Sequence, residues 1–260
     1  MNEPGDELTV LTQNAWGGAA GWETRLELMA KVIGERRPHL IGLQEVYAAT
    51  RDGHRSQAHQ LAEALGGYDT YWAPGKTHFG GDCEGVALLC ERSVREHTVE
   101  RLTLDPTDPF DGDRQRVVLT ARIEAPAVDV FVTHLSLSAI ARYRTVAEIT
   151  AIVTRERARS ASGGAILLGD FNAVPEERSV VALVDAGSDD VRWTDTWRAM
   201  HPGERGGTWP PLVPFRRIDY VLVNPPGAWH VVSCERLRFA GSDHLGVLAR
   251  LRVRGASTPP

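Results

Sequence analysis

Ala165-Ile-Leu-Leu-Gly-Asp-Phe-Asn-Ala-Val-Pro175 is the stretch that decides the reading of this chain. Its apolar run, residues 165–168, has the length and composition of a buried strand, and Gly169-Asp170-Phe171-Asn172 ends it abruptly. The carboxylate of Asp170 and the amide of Asn172 therefore stand just past a strand end, where rigid backbone hands side chains to a cleft. The arrangement recurs outward along the sequence. Strand-like runs also deliver Asn14, Glu45, His134, Asp219 and the pair Asp243-His244. So many oxygen and imidazole side chains at strand ends point to one hard-metal site.

The 260 residues, 42% of them hydrophobic, suffice for one large α/β domain with a full core. The expected domain covers residues 1–254, with 255–260 as a disordered tail. A formal charge of -5 argues against a non-specific nucleic-acid scaffold, while leaving room for a nuclease with one basic face. Three cysteines without metal or disulfide spacing fit a reducing compartment. No apolar run approaches the roughly 18 residues of a membrane span, and the N-terminal residues lack a signal-peptide pattern. The expected protein is a cytoplasmic monomer.

Strand and helix patterns alternate. Strands are expected over 8–14, 40–46, 85–90, 99–104, 117–123, 128–134, 165–169, 218–223, 229–234 and 247–253. Helices are expected over 24–36, around 58–65, over 139–159 and 175–186, with an irregular Trp/Pro-rich region over 193–215. The successive runs 99–104, 117–123 and 128–134 read as antiparallel neighbours, which excludes a purely parallel doubly wound sheet.

Each polar strand-end residue also has a plain structural explanation. Asn14 could cap a turn, His134 could be a hydrogen-bonded core histidine, Asp219 could pair with Arg216 or Arg217, and Ser242-Asp243-His244 could be a turn. Glu45 closes a buried strand, where a carboxylate needs an ion pair or a metal. It is the set, in order and each at a strand end, that is hard to explain structurally. Asn, Asp and Glu oxygens suit Mg²⁺ or Mn²⁺. The sequence has no zinc-type Cys/His cluster, Walker loop or Gly-x-Ser-x-Gly elbow. A hard cation, a carboxylate placed to activate water and imidazoles beside carboxylates are parts for in-line attack of water on a phosphoester.

The ordered motifs Gln13-Asn14, Leu43-Gln-Glu-Val46, Glu84-Gly-Val-Ala-Leu-Leu89, Thr133-His-Leu-Ser136, Gly169-Asp-Phe-Asn-Ala-Val-Pro175, Arg217-Ile-Asp-Tyr-Val-Leu222 and Ser242-Asp-His244 resemble those of the endonuclease/exonuclease/phosphatase superfamily. The resemblance spans nearly the whole chain. It implies a four-layer α/β sandwich, two mixed β-sheets face to face with helices outside. It further implies that Asn14 and Glu45 hold an essential divalent ion with Asp243 close by. Asp170 would orient or deprotonate the attacking water, and Asn172 would fix substrate or nucleophile. His244, oriented by Asp219, would contact the scissile phosphate, with His134 as a second histidine paired with Glu84. A histidine at 134, where abasic-site enzymes carry tyrosine, favours the deoxyribonuclease, sphingomyelinase and phosphatase branches. The expected activity is Mg²⁺- or Mn²⁺-dependent hydrolysis of a phosphodiester. The alternatives are a phosphomonoesterase acting on a small phosphorylated metabolite, nucleotide or inositol phosphate, or a non-catalytic binding module. Nucleic acid, a nucleotide or a small phosphorylated metabolite would be the partner. Loops around Trp16–Trp22, Pro74–Asp82 and Thr208–Arg217 would set specificity, with Trp16, Trp22 and Trp209 as stacking surfaces or core aromatics.

Overall fold

The run that ends in Asp170 becomes a central strand buried on both faces. The computed structural model describes residues 7–53, 55–110, 112–160, 162–185, 191–238 and 241–254. The expected tail at 255–260 lies outside them, as does the polar segment before residue 7. Among the described residues, twelve strands form two six-stranded sheets. The first sheet contains β1 (Glu7–Asn14), β2 (Leu40–Ala48), β3 (Asp69–Thr77), β4 (Cys83–Cys90), β11 (Trp229–Leu237) and β12 (Gly246–Val253) in the order β11-β12-β1-β2-β4-β3. The second contains β5 (Val94–Arg101), β6 (Val117–Ile123), β7 (Val128–His134), β8 (Gly164–Asp170), β9 (Thr194–Asp195) and β10 (Asp219–Asn224) in the order β5-β6-β7-β8-β10-β9.

Both sheets are mixed. β1 runs parallel to β2 and β7 parallel to β8, while the remaining ladders, including β5-β6 and β6-β7, are antiparallel. Alternating side chains on the facing strands interdigitate in a central core that includes Leu8, Val10, Leu88, Val130, Val132, Ile166, Leu168 and Val221. The helices α1 (Trp22–Gly34) and α2 (Gln57–Leu65) cover the outer face of the first sheet through Met29, Ile33, Ala58 and Leu61. The helices α3 (Ala139–Arg159) and α4 (Arg178–Val184) cover the second through Val146, Ile149, Val180 and Leu183. This is the expected four-layer sandwich, and the buried apolar area on three interfaces is its main stabilising term.

Three expectations change. The strand expected over 99–104 runs over Val94–Arg101, because its pairing with β6 extends from Val94 opposite Ile123 to Arg101 opposite Val117. The edge strand β3 was not expected, because Pro74 and Gly75 interrupt its alternation; an edge position tolerates a proline that a central strand would not. The region 193–215 is not wholly irregular. It holds β9 and the short helix α5 (Thr196–Met200), capped by the Asp195 carboxylate accepting from the amides of Trp197 and Arg198.

The sheets approach closely where β2 crosses β8. A Cβ built on Gly42 would lie 2.8 Å from Cβ of Leu168 and 3.3 Å from Cγ1 of Val132. Gly42 therefore sets the spacing that lets side chains from both sheets meet at one end. Overpacking a core of this kind costs about 1–3 kcal/mol. Gly42→Val should lower the unfolding free energy by at least that amount in urea denaturation; an unchanged midpoint and slope would contradict the close crossing.

Candidate active site

Sheet register brings the motifs together. Parallel pairing of β7 with β8 sets His134 beside Asp170, and antiparallel pairing of β10 with β8 sets Asp219 on the other side. His134, Asp170 and Asp219 thus form one row across the end of the second sheet. In the first sheet, β1 delivers Asn14 opposite Gln44, and an irregularity in the β2-β4 ladder between Leu43 and Val46 contains Glu45. The loop before β12 supplies Asp243 and His244 at the same end.

Asp170 lies at the centre, buried. Its Oδ2 accepts from the Asn14 amide Nδ2 at 3.0 Å, a hydrogen bond from one sheet to the other. Its Oδ1 accepts from the Asn172 backbone N–H at 2.8 Å. Nε2 of His134 stands 3.5 Å and Nε2 of His244 stands 3.8 Å from the same Oδ2. Burial, followed by repulsion from Asp219, pushes the Asp170 carboxyl up to about 7, opposed by attraction to His244.

The two histidines sit in opposite electrostatic settings. Nδ1 of His244 lies 2.9 Å from Oδ2 and 3.2 Å from Oδ1 of Asp219. Burial alone would lower its pKa, yet the Asp219 and Asp170 carboxylates outweigh it and push His244 up to about 10, so this ring is an imidazolium. His134 is held well below the usual histidine range by burial and by the positive fields of Arg116 and His244, so it is a neutral imidazole. Its Nε2 lies 3.0 Å from the Asn172 amide Nδ2, which also donates to the Leu135 carbonyl at 3.0 Å. The neutral ring can therefore accept from Asn172. Glu84 is not the orienter of His134. Its carboxylate faces His78 at 3.6 Å, and among the described residues no ion pair joins it to His134. The Glu84 side chain and the His134 ring line the same narrow cleft.

Glu45 reaches the site through unusual backbone. Its φ is 50°, and Asn172 and Trp16 also lie in the left-handed region at 51° and 52°. The Trp16 amide donates to Oδ1 of Asn14 at 2.8 Å, fixing that amide from the loop side. Gly17 presses against this turn: a Cβ there would meet the Glu45 carbonyl at 1.9 Å. Burial raises the Glu45 carboxyl, with Glu84 and Asp243 adding repulsion against the Asn14 hydrogen bond and His244.

Ligand atoms of Glu45, His134 and Asp170 all lie within 4.8 Å of one another, as do those of Asp170, Asp219 and His244. Asp243 is held by the Trp209 indole N–H at 3.4 Å, and its Oδ1 is buried with no hydrogen-bond partner. Glu45 feels the Asp243 charge and the Asn14 amide, and a buried carboxylate oxygen beside them with nothing to satisfy it is one a hard cation can complete. Asn14, Glu45 and Asp243 thus fit a divalent-ion site.

Several supporting residues carried no clear sequence signal. Thr208 Oγ1 accepts from the amides of Ile218 at 3.1 Å and Asp219 at 3.4 Å, anchoring the Arg-Ile-Asp turn. Tyr220 donates its hydroxyl to the Ala173 carbonyl at 2.8 Å and so ties that turn to the Asp-Phe-Asn loop. Arg116, at the start of β6, projects its positive field onto His134; a cation at a strand end was its only visible mark. Of the three tryptophans, Trp22 packs against the α1-α2 core and donates to Gln60, whereas Trp16 is 41% exposed and Trp209 lies half-buried beside Asp243. Among the described residues, the most exposed apolar side chains are Phe79, Phe110, Leu212, Val213 and Phe215 in loops and Ile140 in the first turn of α3.

The sequence matches the model of the Endonuclease/Exonuclease/phosphatase family over residues 11–244. A sequence search of curated proteins finds no match. Among solved structures, the endonuclease/exonuclease/phosphatase from Beutenbergia cavernae DSM 12333 is similar at a TM-score of 0.75 and 25% identity, covering 98% of this chain and 73% of that one. The human Nocturnin catalytic domain is similar at a TM-score of 0.74 and 20% identity, covering 96% of this chain and 95% of that one. The mannosyl-6-phosphatase Bt3783 of Bacteroides thetaiotaomicron VPI-5482 is similar at a TM-score of 0.71 and 21% identity, covering 94% and 99% respectively. With nine-tenths of its length inside the matched region, the chain belongs to the endonuclease/exonuclease/phosphatase family.

Proposed function

We propose that this protein is a divalent-metal-dependent phosphoesterase that cleaves a phosphodiester by in-line attack of water. The observation that carries this reading is the buried Asp170 carboxylate, flanked by one cationic and one neutral histidine at 3.8 and 3.5 Å. A carboxyl raised to about 7 can take a proton from water near neutral pH. The His244 imidazolium, held by Asp219, donates to a non-bridging phosphate oxygen as charge builds there. Asn172 fixes the neutral His134 ring, which orients water or a phosphate oxygen. Asn14, Glu45 and Asp243 would hold Mg²⁺ or Mn²⁺, which when bound would supply positive charge to the phosphoryl oxygens. The complete set of these side chains argues against a non-catalytic binding module. A single domain acting as a monomer in a reducing, cytoplasmic setting belongs to the same reading. Its support is that Cys83, Cys90 and Cys234 are all free and that, among the described residues, no helix is long and apolar enough to cross a membrane.

A phosphomonoester is the second reading, favoured by the similarity to a mannosyl-6-phosphatase. Turnover of p-nitrophenyl phosphate against bis-p-nitrophenyl phosphate separates the two. Excess EDTA should abolish hydrolysis, Mg²⁺ or Mn²⁺ should restore it, and Glu45→Gln should lose several orders of magnitude in kcat/KM. Full activity in EDTA would overturn the metal assignment.

Protons and the cation compete for the same carboxylates. Burial raises the Glu45 carboxyl, so protons compete there with the cation, and the neighbouring Asp170 charge that attracts the cation is lost as pH drops through about 7; affinity therefore falls as pH is lowered. Calorimetric Mn²⁺ titration should give weaker binding at pH 6 than at pH 8, with proton release on binding; a pH-independent Kd would contradict this coupling.

Removing one donor to transition-state charge typically costs about 10²–10³ in kcat. His244→Ala should lose at least that much while its thermal melt stays close to wild type, and Asp219→Asn should show a weaker form of the same loss. His134→Ala should also slow turnover per folded molecule. Marked destabilisation of His134→Ala with normal turnover in the folded fraction would return that ring to a packing role.

A further inference from the structure

The cleft beside His134 is more cationic than the cleavage chemistry requires. Lys76, Arg114 and Arg116 line it together with Glu84. Packing brings these cations together. The Gln115 side chain donates to the carbonyls of Leu102 at 2.7 Å and Arg116 at 2.8 Å, pinning the backbone that carries Arg114 and Arg116. Gly75 lets β3 close on that backbone, because a Cβ there would lie 2.4 Å from the Gln115 carbonyl oxygen. Lys76, the next residue, is thereby held against the same segment.

Arg116 is the informative member. Its Nε is buried without a hydrogen-bond partner, and among the described residues no carboxylate pairs with its guanidinium. The fields of Glu84, Asp170 and Glu45 reach it, but burial dominates. Arg116 as a whole is only half-buried, but a guanidinium with its Nε buried and unpaired gains from an anion that completes it. Lys76 and Arg114 converge on one carboxylate already: Nζ of Lys76 lies 3.0 Å and Nε of Arg114 3.8 Å from Asp113, which is 75% exposed. Such an exposed pair is weak and exchangeable. A phosphate offers more charge and more acceptor oxygens than a carboxylate, in a geometry that suits a guanidinium fork. Glu84 is the one acidic wall of the cleft, and it is turned toward His78.

We propose that Arg116, Lys76 and Arg114 form a second phosphate subsite beside the catalytic centre, so that the substrate carries another phosphate adjacent to the one that is cleaved. Asp113 is the resident counter-ion that this phosphate displaces. The proposal rests on the phosphoesterase reading of Asp170 and the two histidines.

Calorimetric titration of the metal-free, full-length protein with adenosine 3′,5′-bisphosphate and with 5′-AMP tests it. The wild type should bind the bisphosphate about tenfold more tightly, the scale of one good charge-assisted contact. Lys76→Met should bring the ratio toward one with AMP affinity unchanged, Arg116→Gln should do the same, and Asp113→Asn should raise the ratio above wild type. Thermal melts establish that each variant is folded, and the exposed Asp113 provides a readout even where Arg116→Gln is destabilised. Equal affinity for the two ligands in the wild type, no binding of the bisphosphate at millimolar concentration, or an unchanged ratio in Lys76→Met would each overturn the subsite. Hydrolysis of bis-p-nitrophenyl phosphate, which has no second phosphate, reports on the other premise. Lys76→Met should keep wild-type turnover of it, whereas failure of the wild type to hydrolyse it defeats the phosphodiesterase reading and leaves the binding ratio intact as a separate result.

Discussion

The hydrogen bond from the Asn14 amide to Oδ2 of Asp170 is the contact on which the site depends, because it crosses from one sheet to the other. A buried carboxylate without partners would cost several kcal/mol, so the end of the sandwich can close over Asp170 only if both sheets supply polar groups to it. The first sheet supplies Asn14, and the second supplies the Asn172 amide and the neighbouring His134. The apolar core brings the sheets together, with Gly42 permitting a close crossing. Stability and function thus meet at one place: the packing that stabilises the sandwich also excludes water from the groups whose pKa values it shifts.

That exclusion explains why two histidines beside one carboxylate hold different charges. His244 has two carboxylates near it and carries a proton; His134 is buried near Arg116 and His244 and does not. Pairs of titratable groups pushed apart by their surroundings are the mark of acid and base assignments. The same low dielectric makes every misplacement expensive, and the backbone reflects this. Glu45, Asn172 and Trp16 all occupy the left-handed region. For Asn172 the cost is small, since asparagine tolerates that conformation. For Glu45 and Trp16 it is a strain of order 1–3 kcal/mol each that the surrounding packing must hold. The Trp16–Asn14 turn and the close fit of Gly17 against the Glu45 carbonyl supply that constraint.

The architecture was largely legible because buried strands announce themselves as apolar runs. Ala165–Leu168, Val128–Val132 and Leu40–Leu43 read correctly for that reason, and α3 fell at its expected bounds because its N-cap Ser138 and apolar stripe are local signals. The edge strand β3 was not legible, since its pairing with β4 overrides the local preferences of Pro74 and Gly75. In the site, residues at strand ends could be found because their position is a property of the run before them. Their partners could not. That Glu84 turns to His78 and not to His134, and that Asn172 takes the place beside His134, depend on which neighbours the register sets in reach. Arg116 escaped notice for the same reason. Its importance comes from the three carboxylates and one histidine around it, all distant in sequence.

This division has a consequence for specificity. The row His134, Asp170 and Asp219 is fixed by adjacent strands and cannot shift without altering the sheet register. The groups at its edge are free of that constraint: loops there carry Phe79, Phe110, Leu212, Val213 and Phe215 together with Asp113 and Arg114, and Lys76 comes from the edge strand β3. A phosphate held at the fixed row, as proposed, would therefore be surrounded by groups that can change at little cost to the fold. On the proposed reading chemistry resides in the register and substrate choice in the rim, so fold similarity at about a fifth of identical residues identifies the scaffold and not the substrate.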